Sequence, residues 1–211
     1  MGPNGSGKSS IAESIMGNPD IQIESGDIFF DGDIINELNS TERSKLGIFL
    51  AFQYPIEIPG VDFINFLRMA YNKNTETKLN VFRFRELVRE KMKLLKMDEK
   101  LLERNINEGF SGGEKKKAEI LQMAILKPKL AILDETDSGL DIDALKAVFE
   151  GIKAIKEDNP KMSILLITHY NKVFEYVKPN KVIVIKNGMK IKEGQDDILK
   201  QIERDGYKGL K

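Results

Sequence analysis

Four residues near the start of the chain have types and spacing suited to phosphate chemistry. Gly2, Gly7, Lys8 and Ser9 satisfy the pattern G-x-x-x-x-G-K-[ST] within the segment Gly2-Pro3-Asn4-Gly5-Ser6-Gly7-Lys8-Ser9-Ser10. Glycines let the backbone N–H groups turn inward around a polyphosphate, and residues 10–16 continue as a short helix whose N-terminus adds a favourable dipole. Lys8 is placed to reach the β and γ phosphates, and the Ser9 hydroxyl to ligate Mg²⁺. A Gly/Ser-rich linker can share such a composition, but a linker does not require Lys-Ser at this offset with a helix behind it. A second group complements the first. Residues 130–135, Leu-Ala-Ile-Leu-Asp-Glu, read as a hydrophobic strand delivering two carboxylates at its C-terminal end, where α/β sheets bind ligands. Beside a phosphate loop, Asp134 is expected to hold Mg²⁺ through water, and Glu135 to orient or deprotonate the attacking water.

Three further signals are weaker alone. Ser111-Gly112-Gly113-Glu114 precedes an apolar run and has the form of a capping box, Ser111 satisfying an orphan N–H and Glu114 reaching back. A cap does not need Gly112 and Gly113, which weaken the first turn, so bare N–H groups for a γ-phosphate are a second reading of the same residues. His169, the only histidine, sits just beyond the strand pattern at 164–168, the expected parallel neighbour of the carboxylate strand. Gln53 ends the apolar run 46–52 and could report Mg²⁺ or nucleotide occupancy to the segment that follows. Lys115-Lys116-Lys117 would fan around a helix, so the run reads as a solvated or snorkelling face with no function assigned.

These residues must be positioned by a core of ordinary size. The chain has 211 residues, 41% hydrophobic and 31% charged, enough for one substantial core with a small satellite unit. Thirty-three Lys and Arg balance 33 Asp and Glu, so no global field draws the chain to nucleic acid or an anionic membrane. With no cysteine there is no thiolate for zinc or an iron–sulfur cluster, and any metal is expected to be oxygen-bound. The longest apolar run, 46–52, is too short to span a bilayer, and no signal-peptide pattern opens the chain, which reads as cytoplasmic without membrane insertion.

Along the chain, residues 21–23 and 27–30 around Ser25-Gly26 predict short antiparallel strands, with a second turn at 31–33; 40–44 predict a helix cap; 46–52 predict a buried strand. Two prolines and a glycine in 54–60 predict an irregular boundary loop, followed by helical periodicity from 62 to 125 broken by a polar loop at 72–80. In that block, 63, 66, 67 and 70 share one face, and 87, 88, 92, 94 and 95 share another. Strands at 130–133 and 163–168 joined by a helix over 142–156 imply a right-handed parallel crossover, hence an α/β core. A hairpin about Asn187-Gly188 and a helix near 196–204 close the chain.

Taken in order, the motifs resemble the ATP-binding cassette ATPases: GPNGSGKS at 2–9, a glutamine loop at Gln53, a helical insertion, the signature FSGGE at 110–114, LAILDE at 130–135, SGLD at 138–141 and ITHY at 167–170. The resemblance implies a P-loop NTPase fold with a mostly parallel sheet, its ATP-binding core spanning 1–53 and 127–211 and a helical signature sub-domain spanning 54–126. It implies ATP and Mg²⁺ as ligands, with Ser9, Gln53 and Asp134 toward the metal, Glu135 as general base and His169 on the γ-phosphate. It also implies a head-to-tail dimer in which Ser111, Gly112, Gly113 and Glu114 act on the ATP held by the other copy. The family carries a strand directly before the loop and an adenine-stacking aromatic further upstream, so the resemblance implies a truncated N-terminal β region and reduced stability. Within the family, the wording at 52–70, 110–126 and 133–146 is similar to the SufC-type ATPases of iron–sulfur cluster assembly, where transporter ATPases tend toward SGGQxQR. That similarity implies scaffold partners of the SufB and SufD type. The rival implications are a transporter's nucleotide-binding subunit and a catalytically weak nucleotide-binding fragment.

Overall fold

The computed structural model describes residues 1–168, 171–207 and 209. Helix α1 (Lys8–Met16) starts at Gly7 and stops at Gly17, both in the left-handed region at φ 95° and 79°. A Cβ there would be strained, so both helix ends are set by glycine. Two short antiparallel strands follow, β1 (Phe29–Phe30) and β2 (Asp33–Ile34), paired across Asp31-Gly32. The expectation for 21–23 is therefore corrected: those residues are not a strand, and the hairpin closes at the turn assigned second place. Asn36 explains the difference, because its side chain accepts from the Ile28 N–H at 2.8 Å and donates to the Gly26 carbonyl at 2.9 Å, fixing the preceding chain as a loop. Helix α2 (Ser40–Leu46) carries a full capping box from Asn39 and Glu42, one residue earlier than the serine suggests.

The apolar run narrows to β3 (Ile48–Ala51). The proline-rich stretch is not wholly irregular: β4 (Ile58–Asp62) runs through it and pairs, with a register shift, to β5 (Asn105–Ile106). Its residues 58–61 are exposed and its pairing is short, which is how an edge strand tolerates Pro59. Helices α3 (Phe63–Asn74), α4 (Val81–Leu94) and α5 (Gly112–Leu126) then follow, capped by Asp62, Asn80 and Ser111. α3 continues into the stretch expected to be loop, leaving 75–80 outside regular structure. On α4 the buried face is Phe84, Val88 and Met92, continued by Leu95 just beyond its end, whereas Leu94 is exposed.

The carboxylate strand β6 (Leu130–Asp134), α6 (Ile142–Asp158) and β7 (Ser163–Ile167) form the expected parallel crossover. The sheet order is β3-β6-β7, all parallel, with Ala51 opposite Leu133 and Asp134 opposite Ile167. Alternate residues of the sheet enter different clusters. Ala51, Ala131 and Leu133 pack with Phe63, Phe84, Ile120 and Phe149 of the helices, while Leu50, Ile132 and Ile167 pack with Ala12 of α1. β6, buried on both faces, is thus the axis of the fold. The chain closes with β8 (Val182–Lys186) and β9 (Met189–Gly194), turning at Asn187-Gly188, and α7 (Asp196–Asp205) packed on them. Met1 lies along β8 in the manner of a parallel strand residue: its amine donates to the Ile183 carbonyl at 2.7 Å, and the Ile185 N–H donates to its carbonyl at 2.8 Å.

Candidate active site

The segment 2–7 is held from outside. A Cβ on Gly2 would lie 2.1 Å from the Ile185 carbonyl oxygen, so backbone packs directly on backbone there. The Gly188 N–H donates to the Ser6 carbonyl at 3.1 Å, bracing the loop with the β8–β9 turn. Gly5 and Gly7 adopt φ 73° and 95°, which side chains disfavour. Ser6 is buried, and its Oγ has no hydrogen-bond partner among the described residues. Lys8 is 6% exposed, and its ammonium donates to the carbonyls of Gly2 and Pro3, each at 3.1 Å. The same nitrogen lies 4.0 Å from Glu135 Oε1.

β6 delivers Asp134 and Glu135 opposite this loop. Among the described residues, Asp134 Oδ1 is buried without a hydrogen-bond partner. Burial raises the Asp134 carboxyl above the ordinary carboxylate range; the Ser9 hydroxyl pulls it back, Glu135 pushes it further up and Lys8 draws it down. Glu135, 7% exposed, sits at φ 45°, its N–H donating to the Ile167 carbonyl at 2.9 Å. That left-handed turn at the strand end is fastened by the Ser138 N–H, which donates to the Glu135 carbonyl at 2.9 Å. Gln53, two residues beyond β3, donates from Nε2 to Glu135 Oε2 at 2.6 Å. Behind the pair, the Thr168 hydroxyl donates to Asp137 Oδ2 at 2.7 Å in a buried contact. The structure therefore gathers Lys8, Ser9, Gln53, Asp134 and Glu135 at one end of the parallel sheet; His169 lies outside the described residues.

The signature segment stands elsewhere. Ser111 and Glu114 form a reciprocal cap, Glu114 N–H to Ser111 Oγ at 3.3 Å and Ser111 N–H to Glu114 Oε2 at 2.7 Å. Ser111 and Gly112 are exposed, and Gly113 allows α5 to approach α6, where an added Cβ would meet the Ala144 Cβ at 3.3 Å. Among the described residues no hydrogen bond or ion pair joins 111–114 to 1–10.

Two residues escaped the sequence reading. Lys116, expected in a solvated run, is 3% exposed; its ammonium donates to the carbonyls of Phe52 at 2.6 Å and Gln53 at 2.9 Å. Glu119, also buried, accepts from the Phe52 N–H at 2.8 Å and faces Lys116 at 3.5 Å. Burial pushes the Lys116 ammonium down and the Glu119 carboxyl up to about 7, each partly countered by the other. The available signal was Glu119 itself, a carboxylate embedded among Ala118, Ile120 and Leu121 three residues after Lys116.

Comparison with known proteins agrees with this geometry. Residues 1–138 match the protein family described as ABC transporter. A probable ATP-dependent transporter ycf16 of Cyanophora paradoxa is 50% identical over 214 residues, covering 100% of this chain and 82% of that protein. The probable ATP-dependent transporter SufC of Escherichia coli K12 is 47% identical over 212 residues, covering 98% and 84%. Among solved structures, the dimeric post-hydrolysis state of the ATP-binding cassette MJ0796 with ADP and Pi superposes with a TM-score of 0.78 at 22% identity, covering 92% of this chain and 83% of that one. The ATP-binding cassette MJ1267 superposes at 0.76 with 26% identity, covering 97% and 83%. The gathered lysine, carboxylates and glutamine, the P-loop fold and the length of these matches make the chain a member of the ATP-binding cassette family, an ATPase of the SufC type.

Proposed function

We propose that the chain is the ATP-hydrolysing subunit of an iron–sulfur cluster assembly complex, working in the cytoplasm on scaffold proteins of the SufB and SufD type. The observation carrying the hydrolytic part is the convergence of Lys8, Gln53 and Glu135 beside the phosphate loop. In this reading residues 1–53 and 127–211 form the nucleotide-binding core and 54–126 the helical unit. The backbone N–H groups of residues 4–10 surround the polyphosphate, Gly2 and Pro3 shaping the loop's entry, and the Lys8 ammonium exchanges the Gly2 and Pro3 carbonyls for phosphate oxygens. Mg²⁺ fits the donor set: among the described residues Asp134 Oδ1 is buried without a hydrogen-bond partner, and Ser9 and Gln53 add neutral oxygens of the hard type. Ser9, Gln53 and Asp134 would hold the ion, which when bound would offset charge on the phosphates. Glu135 takes the proton of the attacking water at Oε2 once the Gln53 amide, which holds that oxygen at 2.6 Å, releases it. His169 is assigned to the γ-phosphate by resemblance.

In a head-to-tail pair, Ser111, Gly112, Gly113 and Glu114 act on nucleotide held by the second copy; the exposure of Ser111 and Gly112 supports this reading. Among the described residues no helix is long and apolar enough to cross a membrane. The description of the relatives as probable ATP-dependent transporters favours a second reading, the nucleotide-binding subunit of a membrane transporter. Affinity purification of the tagged chain from its host separates the two: recovery of a SufB-like or SufD-like scaffold supports cluster assembly, and recovery of a membrane permease contradicts it.

A further inference from the structure

Phe52 and Gln53 lie just past the end of β3, where the parallel ladder to β6 stops at Ala51 opposite Leu133. Their backbone groups are instead bound by one turn of α5. Glu119 Oε1 accepts the Phe52 N–H at 2.8 Å, and the Lys116 ammonium donates to the Phe52 and Gln53 carbonyls at 2.6 and 2.9 Å. Glu119 keeps Lys116 at 3.5 Å inside the same buried space. A carboxylate there is not what packing asks for, because its neighbours Ala118, Ile120 and Leu121 are wholly buried and apolar. Burying an ion pair costs several kcal/mol of hydration, and an apolar side chain of similar volume would avoid that cost. What leucine could not do is fix three consecutive peptide units. Those units determine where the Gln53 side chain points, and it points at Glu135 Oε2, 2.6 Å away.

We propose that Glu119 is a positioning residue for hydrolysis: through the Phe52 N–H and the Lys116 ammonium it sets the backbone from which Gln53 is aimed at Glu135. The arrangement puts the clamp on the same helix as the signature residues, five residues from Ser111 to Lys116 along α5, so any displacement of that helix is transmitted to Gln53 without a flexible link. The proposal rests on Glu135 being the residue that activates water.

The test compares steady-state hydrolysis of ATP, affinity for a fluorescent ATP analogue and thermal midpoint in the full chain. Glu119→Gln keeps volume and an acceptor for Phe52. Glu119→Leu with Lys116→Met removes the whole clamp and leaves no buried unpaired charge. Misaimed supporting groups of this kind cost roughly 10- to 100-fold in activity, and that loss in kcat is expected of the double variant, with nucleotide affinity within about threefold of wild type because residues 1–10 are untouched. Glu119→Gln is expected to stay within about fivefold of wild-type kcat, since the Phe52 bond survives. Wild-type kcat in the double variant overturns the proposal, as does a parallel fall of affinity, kcat and thermal midpoint, which marks a purely structural role. Glu135→Gln serves as the separate check: undiminished hydrolysis there overturns the assignment of Glu135, independently of the Glu119 series.

Discussion

At the scale of the residue, the site is a competition between burial and charge. Asp134 and Glu135 are adjacent buried carboxylates, and the structure separates their surroundings: among the described residues Asp134 Oδ1 has no hydrogen bond, whereas Glu135 accepts from Gln53. These two, with Lys8 and Ser9, were legible because their spacing in sequence is their spacing in chemistry. Lys116 and Glu119 were not, because what they bind is backbone more than 60 residues away, and no local pattern encodes an N–H or a carbonyl at that distance. Their environment makes a pH prediction. Burial lifts the Glu119 carboxyl from its ordinary 4.5 to about 7, against the pull of Lys116, which Asp134 and Asp137 also face. The folded state thus holds that proton more tightly than the unfolded chain, so the contribution to stability is fully present below pH 4.5 and is lost as pH rises through about 7. Urea titrations at pH 5 and pH 8 should show wild type losing stability relative to Glu119→Gln across that interval. A constant difference between the two proteins would show that Glu119 does not titrate there.

At the scale of the element, the helices and the central strands were readable from periodicity and caps, and the short strands were not. β6, α6 and β7 follow from an apolar run, an amphipathic run and a second apolar run, because both faces of the sheet must be covered. β4 escaped because Pro59 and Gly60 argue against a strand, and its pairing to β5 is made by tertiary contact, not propensity. Helix α1 is held at its end by a side chain from α2. Arg43, 2% exposed, donates to the Ser14 and Ile15 carbonyls in the last turn of α1 at 2.6 and 3.0 Å, the first of which also takes the Gly17 N–H at 3.2 Å, and to Leu38 and Asn36 at 2.7 and 2.9 Å. The guanidinium also complements the negative end of the helix dipole. Replacing it with methionine removes four hydrogen bonds to part-buried carbonyls, at a cost of about 3 kcal/mol. Arg43→Lys recovers only part, because one ammonium cannot reach acceptors arranged for a planar fork. Chemical denaturation measures both variants, and a loss below about 1 kcal/mol for Arg43→Met would assign Arg43 a surface-like role.

At the scale of the whole molecule, the parallel order β3-β6-β7 collects groups from distant parts of the chain at one end of the sheet: the phosphate loop, Gln53 two residues after β3 and the end of β6. The α/β class was legible from the alternation of strand and helix patterns. The assembly is harder to read from one chain, since Ser111 and Gly112 are exposed and, among the described residues, no hydrogen bond or ion pair joins the capped segment 111–114 to residues 1–10. On the function proposed above, hydrolysis occurs in a site shared by two chains. Size-exclusion chromatography with light scattering on Glu135→Gln tests it most directly. With ATP and Mg²⁺ the variant should elute as a dimer, returning to monomer with ADP or when Ser111→Arg is added to block the signature. A Glu135→Gln protein that binds ATP tightly yet stays monomeric at saturating nucleotide would contradict the account.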